Sequence, residues 1–438
     1  MSWPYIPELL ETPVPRYTSF PTAAEFGPGV GAAQAEQALQ AVPDDVSLYV
    51  HIPFCEQICW YCGCNTGKSN RQQRLASYLD ALHREIALTG ARLGGRAKVR
   101  RIACGGGSPN VIAPTDFVRL VDALTLHTRV ENPVWSIELD PRNLSREWGK
   151  VMQQVGITNA SLGVQTFAAH LQAAIGRVQD DATIAGATEL LRAAGITSLN
   201  FDLMYGLPGQ TMADLEAALA RTLELGADRI ALFGYAHVPH LIPRQRRIDG
   251  TALPGQSMRF AMAEFGYAYL AAAGYTPIGF DHFARPADPL ASAARHGMVR
   301  RNFLGFTDDQ ARVLIGVGAS SISSFPDLIV QNEKNGGRYR MLLSQDRLPA
   351  TLGIVRSAED QALGSIIMAL LCQGEAVIGS DRCSAVAVRL QPFFDFGLAK
   401  LAQGTLRVLP HGRPYVRTIA ALFDPYRQNN AHRFSSAV

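Results

Sequence analysis

Residues 47–64 read SLYVHIPFCEQICWYCGC. A β-rich apolar run at 47–52 ends at a proline and empties into Cys55, Cys59, Cys62 and Cys64, spaced CxxxCxxCxC. Such a run, bounded by a breaker, predicts a strand. Thiolates this close together in one loop can converge on one metal centre. Soft sulfur suits an iron–sulfur cluster, which hard oxygen ligands would not hold. Three thiolates on a four-iron cluster would leave one iron open to a ligand, much as catalytic zinc keeps an open position. A structural zinc site is the alternative, but zinc usually takes two separated CxxC pairs, and here a single compact group stands alone.

The pattern repeats outward from that strand. Further β-rich runs fall at 99–104, 134–139, 160–164, 198–203, 229–233 and 275–280, and helical periodicity at 71–88, 114–126, 181–194, 212–225 and 257–273. Gly195 stops one helix, and Thr211 or Asp214 starts another. Strands alternating with helices predict an α/β fold, a partial or complete parallel (β/α) barrel. The cysteine loop would then lie at the barrel's C-terminal mouth, where barrel active sites are built. Beyond about residue 350 the pattern changes. Helices are expected at 358–371, 386–401 and 417–422, with a small hairpin between 405–409 and 413–416. The division predicted is an N-terminal arm (1–45), a barrel domain (46–350) and a mostly helical C-terminal domain (351–438). PRYTSFPT at 15–22 is not expected to be helical.

Composition narrows the class. The 438 residues are 47% hydrophobic and 18% charged, enough for a sizeable core, which excludes wholesale disorder and a coiled-coil rod. The formal charge of +3 disfavours a nucleic-acid binder. No apolar run approaches the roughly 20 residues that span a bilayer, and the first 20 residues lack an apolar h-region. A cytoplasmic protein with no membrane or nucleic-acid partner is expected. Cys104, Cys372 and Cys383 are scattered and read as packing residues.

CxxxCxxC after a first strand resembles the radical S-adenosylmethionine enzymes. The longer string at 49–65, YVHIPFCEQICWYCGCN, resembles the oxygen-independent coproporphyrinogen III oxidases. PRYTSFPTA (15–23), GGGSP (105–109), IELDP (137–141), LGVQTF (162–167), FDLMYGLPGQT (201–211), YAHVP (235–239), DHFARP (281–286) and GVGASSIS (316–323) carry the resemblance over most of residues 15 to 325. It implies that Cys55, Cys59 and Cys62 ligate a [4Fe-4S] cluster and that Cys64 stands beside it, either catalytic or packing. S-adenosylmethionine would bind the open iron, one or two molecules per site. Electron transfer to its sulfonium would then release a 5′-deoxyadenosyl radical. Gly106, Gly107 and Ser108 match the methionine-binding loop, with Ser108 where the family usually has threonine. Tyr49, Glu138, Gln165, Arg177, Asp202, Ala236 and Ile322 match further cofactor contacts.

The implied reaction converts two propionates of coproporphyrinogen III to vinyl groups, giving protoporphyrinogen IX in anaerobic haem biosynthesis. A flavodoxin or ferredoxin would supply electrons to a monomer. Arg16, Arg244, Arg246, Arg247, Arg285, Arg300 and Arg301 are the candidate propionate partners, because guanidinium suits carboxylates. Two stretches depart from the family. Leu304 replaces a glutamine that contacts a second S-adenosylmethionine, with Phe306 and Asp308 changed nearby. Leu363, Gly364 and Ser365 replace an Arg-Arg-Asp triplet. Two alternatives therefore stay open: a paralog acting on another tetrapyrrole, and a haem-binding chaperone. His51, His237 and His282 are read as buried, satisfied histidines.

Overall fold

The computed structural model describes residues 2–42, 44–68 and 72–429. Arg71, the expected start of the first long helix, lies outside the described residues. Twelve strands form one sheet: β1 (Val46–Ile52), β2 (Lys98–Gly106), β3 (Arg129–Leu139), β4 (Asn159–Gln165), β5 (Ser198–Tyr205), β6 (Arg229–Gly234), β7 (Thr276–Ile278), β8 (His282–Ala284), β9 (Val313–Val317), β10 (Ile322–Ser324), β11 (Leu328–Asn332) and β12 (Ala350–Val355). In space they run β12-β11-β10-β9-β1-β2-β3-β4-β5-β6-β8-β7. All neighbours from β9 to β6 are parallel, and both flanks are antiparallel. This is the expected parallel (β/α) architecture.

The helices meet their sequence signals. Helix Asp181–Ala193 is capped by the Asp180 side chain and followed by Gly195 at φ +90°. Helix Met212–Glu224 opens on a reciprocal capping box between Thr211 and Asp214. Helices Gln72–Leu93, Pro114–His127 and Gln256–Ala272 also stand where periodicity put them.

The run expected at 275–280 needs correction. It breaks at Gly279, and β8 folds back between β7 and β6. Only three residues separate β7 from β8, too few for a parallel crossover, so the return must be antiparallel.

The C-terminal lobe holds helices Ala358–Gln373 and Ser380–Asp395 and a three-stranded antiparallel sheet, Glu375–Val377, Ala399–Ala402 and Thr405–Val408. The helix expected at 386–401 therefore lies earlier. Gly397 at φ +65° follows its end, and Ala399–Ala402 pairs with Thr405–Val408. The hairpin partner expected at 413–416 is not a strand. Pro410–Tyr415 is a 3-10 turn, because Pro410 and Pro414 offer no ladder donors. The expected helix at 417–422 is Val416–Ala420, which tightens into a 3-10 turn at Ala421–Phe423.

The arm does not form a layer of its own. Trp3, Ile6, Leu10, Val14, Tyr17 and Phe20 are buried in one cluster with Leu363, Ile367, Leu390 and Tyr415 of the C-terminal lobe. The strand β12 spans the position between residues 350 and 351 and pairs with β11. Among the described residues no helix is long and apolar enough to cross a membrane.

Candidate active site

The cysteine loop leaves β1 at the C-terminal edge of the parallel strands, as the strand–helix alternation requires. The glycine loop that follows β2 is laced to its base: Gly107 N–H donates to Ile52 O at 2.9 Å and Ser108 N–H to Phe54 O at 2.8 Å. A Cβ on Gly107 would lie 2.3 Å from Phe54 O, and Gly106 sits at φ +107°. Only glycine permits both the close approach and the conformation.

Below these loops is a cavity of about 180 Å³ lined by Cys55, Cys59, Cys62, Cys64, Gly106, Gly107, Ser108, Glu138, Gln165, Arg177 and Asp202. The ends of β1 to β5 thus bring together eleven residues that lie up to 147 positions apart, from Cys55 to Asp202. Tyr49, Ala236 and Ile322 lie elsewhere. The Tyr49 hydroxyl stands 3.0 Å from His51 Nδ1, Ala236 O accepts from Gln245 Nε2 at 3.0 Å, and Ile322 opens β10.

Charge in the cavity is arranged around the sulfurs. Arg177 donates to Gly163 O at 2.6 Å and to Cys59 Sγ at 3.2 Å, and faces Asp140 at 3.5 Å. Arg142 pairs with the same Asp140 at 2.5 Å and reaches to 3.8 Å from Cys59 Sγ. Burial opposes ionisation of Asp140, but the Arg142 hydrogen bond and the two guanidinium charges hold it below the usual carboxylate range. The thiols perturb one another. Burial pushes Cys55 up to about 12, helped by Cys62 and Cys59, whereas the thiol of Cys64 pulls Cys62 down to about 6. Three thiols crowd one loop here, and a cationic metal core would let all three ionise without mutual repulsion, because coordinated thiols deprotonate outright. The donor set therefore fits an iron–sulfur cluster.

Two carboxylates face the same space. Glu138 accepts from Gly106 N–H at 3.0 Å, and burial, with Asp202 nearby, raises its pKa. Asp202 accepts from Ser161 Oγ at 3.0 Å and Asn200 Nδ2 at 2.9 Å, and burial raises it too. Gln165 closes β4 at φ +67°, a strained conformation for a non-glycine residue and one found at functional sites. The Ser108 hydroxyl is committed locally: it donates to Asn110 Oδ1 at 2.6 Å and accepts from Asp140 N–H at 3.1 Å. It ties the glycine loop to the end of β3.

Sequence reading missed Asp140, Arg142 and Gly163. Asp140 lies inside the IELDP string, and its signal is the position, one residue past β3. His51 is buried and its pKa falls to about 4 through loss of hydration, as expected of a packed histidine.

The departures at 304–308 and 363–365 have local partners. Asp308 pairs with Arg101 through two bonds of 3.0 and 3.1 Å, Phe306 stacks edge-on against His282, Leu363 is buried and Gly364 packs on Phe20. Leu304 is exposed at a hairpin turn. The candidate propionate arginines are dispersed. Arg244 donates to Thr66 Oγ1, Arg285 to Tyr275 Oη, Arg300 to Gln310 O and Arg301 to Arg16 O, while Arg246 and Arg247 are exposed.

Residues 49–221 match the radical SAM superfamily model. The chain is 39% identical to an oxygen-independent coproporphyrinogen III oxidase of Bradyrhizobium diazoefficiens, covering 98% of each chain. It is 34% identical to the enzyme of that name in Escherichia coli, covering 95% of this chain and 94% of the relative. Among solved structures it is similar to coproporphyrinogen III oxidase from Escherichia coli, a radical SAM enzyme, with a TM-score of 0.91 and 32% identity over 97% of this chain and 100% of that one.

Proposed function

The chain belongs to the oxygen-independent coproporphyrinogen III oxidases of the radical SAM superfamily, and on that premise we propose how its site carries the reaction. The reaction is oxidative decarboxylation of two propionates of coproporphyrinogen III. A hydrogen atom leaves the β-carbon for the 5′-deoxyadenosyl radical, carbon dioxide follows as one electron passes to a separate one-electron acceptor, and a vinyl group remains; two rounds give protoporphyrinogen IX. The single observation that carries the reading is the cavity in which Cys55, Cys59 and Cys62 meet Gly106, Gly107, Glu138 and Arg177.

When bound by those three cysteines, a [4Fe-4S] cluster with S-adenosylmethionine supplies the hydrogen-abstracting 5′-deoxyadenosyl radical. This chain's residues do the positioning. The backbone of Gly106 and Gly107 admits close approach of the methionine moiety, and Glu138 and Asp202 offer acceptors to its ammonium and ribose hydroxyls. Gln165 and Arg177 hold the far side, with Arg177 fixed in turn by Gly163 O and Asp140. We assign Tyr49, Ala236 and Ile322 to the outer part of the cofactor region, and Cys64, which opens onto the cavity, to a place beside the reacting atoms.

With this reading go a one-electron donor of the flavodoxin or ferredoxin class, a monomeric chain, a cytoplasmic address and the three-part division at residues 45 and 350. The test is anaerobic: cluster-loaded protein, S-adenosylmethionine, reductant and coproporphyrinogen III. Protoporphyrinogen IX together with 5′-deoxyadenosine is the expected result. 5′-Deoxyadenosine without a decarboxylated product would assign the radical chemistry to a different substrate.

A further inference from the structure

The end of the cysteine loop is flanked by cations on two sides. Gly63, Cys64 and Asn65, which follow Cys62 in the chain, are exposed. On one side the 3-10 turn Pro243–Arg247 packs against them. Arg244 donates to Thr66 Oγ1 at 3.1 Å and to Cys64 O at 3.5 Å, and Gln245 donates to Tyr61 O at 2.9 Å. On the other side Asn65 Nδ2 donates to Lys334 O at 3.2 Å. There a cleft of about 270 Å³ separates Thr66 and Gly67 from Arg74, Lys334 and Arg340, and no carboxylate lines it among the described residues. Arg74, Lys334, Arg246 and Arg247 are exposed. Residues 53–68, 73–78, 242–249 and 333–340, which make up this face, hold eight Lys and Arg against three Asp and Glu. That excess is larger than the +3 of the whole chain, so the remainder of the chain is net acidic. Two of the three carboxylates are engaged by nearby backbone: Glu333 accepts from Asn335 N–H at 2.7 Å and Asp249 from Thr251 N–H at 2.9 Å.

We propose that this basic face docks an acidic one-electron carrier protein that reduces the cluster. The inference rests on the function proposed above, which consumes one electron for each S-adenosylmethionine cleaved. The carrier is oxidised by one electron and the cluster on Cys55, Cys59 and Cys62 is reduced by one, which cleavage of the sulfonium C–S bond then uses. The electron has least protein to cross where a ligand cysteine is followed at once by exposed chain. Cys55 and Cys62 both meet that condition. The stretch after Cys55 carries Glu56, whereas the stretch after Cys62 borders the cations. Opposite charge speeds the encounter of such partners and orients them. Leu241, 51% exposed and two residues before the Pro243–Arg247 turn, supplies an apolar contact within the charged rim.

The experiment compares the cluster-loaded wild type with Arg74→Glu, Lys334→Glu and the double variant, all outside the cofactor cavity. Binding of flavodoxin and of ferredoxin is measured anaerobically. In parallel, 5′-deoxyadenosine formation is driven by the reduced carrier and by reduced methyl viologen, a small cation that gains nothing from a basic face. The double variant should bind its carrier about tenfold more weakly at low salt, within the range by which charge steers association. The difference should vanish at 1 M salt, where the screening length is about 3 Å. Carrier-driven formation below saturation should fall by the same factor, while the methyl viologen rate and the cluster absorbance hold. Failure of both carriers to bind wild type, unchanged affinity in the double variant, or a loss that salt does not diminish overturns the proposal. An equal loss with methyl viologen also overturns it, because the defect then lies in the radical site. So does a raised KM for coproporphyrinogen III with methyl viologen as reductant, which would assign the cations to the substrate's carboxylates. If carrier binding follows these charges but coproporphyrinogen III is not decarboxylated, the docking face stands and the reaction proposed above fails.

Discussion

Arg177 shows how much one side chain can hold. Its guanidinium grips Gly163 O through two nitrogens, faces Asp140 and touches the Cys59 sulfur. A lysine ammonium is a point charge on a flexible stem and cannot reach all three in one geometry. Arg177→Lys should therefore lower 5′-deoxyadenosine release by roughly ten- to a hundredfold, the range expected for a charge-assisted bond of about 1.5–3 kcal/mol, with the protein still folded by circular dichroism. The cysteines separate by role in the same way. Cys62→Ser should abolish the cluster absorbance. Cys64→Ser should keep the cluster and lose protoporphyrinogen formation. Cluster loss in Cys64→Ser would instead make Cys64 a support for Cys62, to which its thiol donates.

At the scale of elements, what could be read in advance depended on length. Most strands of six or more residues and helices of thirteen or more show their period, and β1 to β6 stand within a few residues of the predicted runs. β12, six residues long, matches no predicted run, and helix Ser380–Asp395 starts six residues before the predicted one. Three- and four-residue strands such as β7, β8 and Ala399–Ala402 are too short to show a period, and only their partners define them. The cysteine and glycine loops were legible because chemistry constrains their composition. Asp140 and Arg142 were not, since an acidic and a basic residue after a strand look like any solvated turn until Cys59 and Arg177 come across from other loops. Gly107 makes the constraint testable. Gly107→Ala places a methyl against Phe54 O, so at least about 1–3 kcal/mol of stability should be lost, and iron loading should fall with it.

Helix Gln72–Leu93 carries a second element-scale prediction. It buries Glu85 against the far end of β9, where the carboxylate accepts from Asn332 Nδ2 and Gly318 N–H at 2.7 Å and from Tyr339 Oη at 2.5 Å. Desolvation still outweighs these bonds and raises Glu85 to about 7. A carboxyl whose folded pKa is raised favours folding while it is protonated. Its contribution is complete below the unfolded value near 4.5 and fades as pH rises to about 7, a loss of roughly 3 kcal/mol over that window. Urea unfolding of wild type and Glu85→Gln from pH 4.5 to 8 should show the wild type losing stability relative to the variant up to about pH 7, and parallel curves above it.

For the whole molecule, the N-terminal arm is the piece whose role changes most once the fold is known. Its 15–22 segment matched family positions without revealing why an arm should be kept at all. Trp3, Ile6, Leu10, Val14, Tyr17 and Phe20 stand three or four apart, as on a helix face, but Pro4, Pro7, Pro13, Pro15 and Pro21 forbid a continuous helix, and all six enter the core of a lobe more than 300 residues away in sequence. Polar bonds fix the register: Ile6 N–H donates to Tyr415 Oη at 2.8 Å, Tyr415 Oη donates to Pro4 O at 2.6 Å, and Tyr17 Oη donates to Asp424 Oδ2 at 3.0 Å. Arg16 then reaches from this anchored segment to the end of β6. The arm is thus the strap that carries the C-terminal lobe onto the sheet. Leu10, fully buried, is the place to test it. Leu10→Ala should cost about 2–5 kcal/mol, and protease should cut the C-terminal lobe first while the parallel sheet keeps its cluster and its basal 5′-deoxyadenosine release. Equal protection of both parts, or loss of the cluster at the same denaturant concentration, would mean that arm, sheet and lobe unfold as one unit and that the strap is part of a single core.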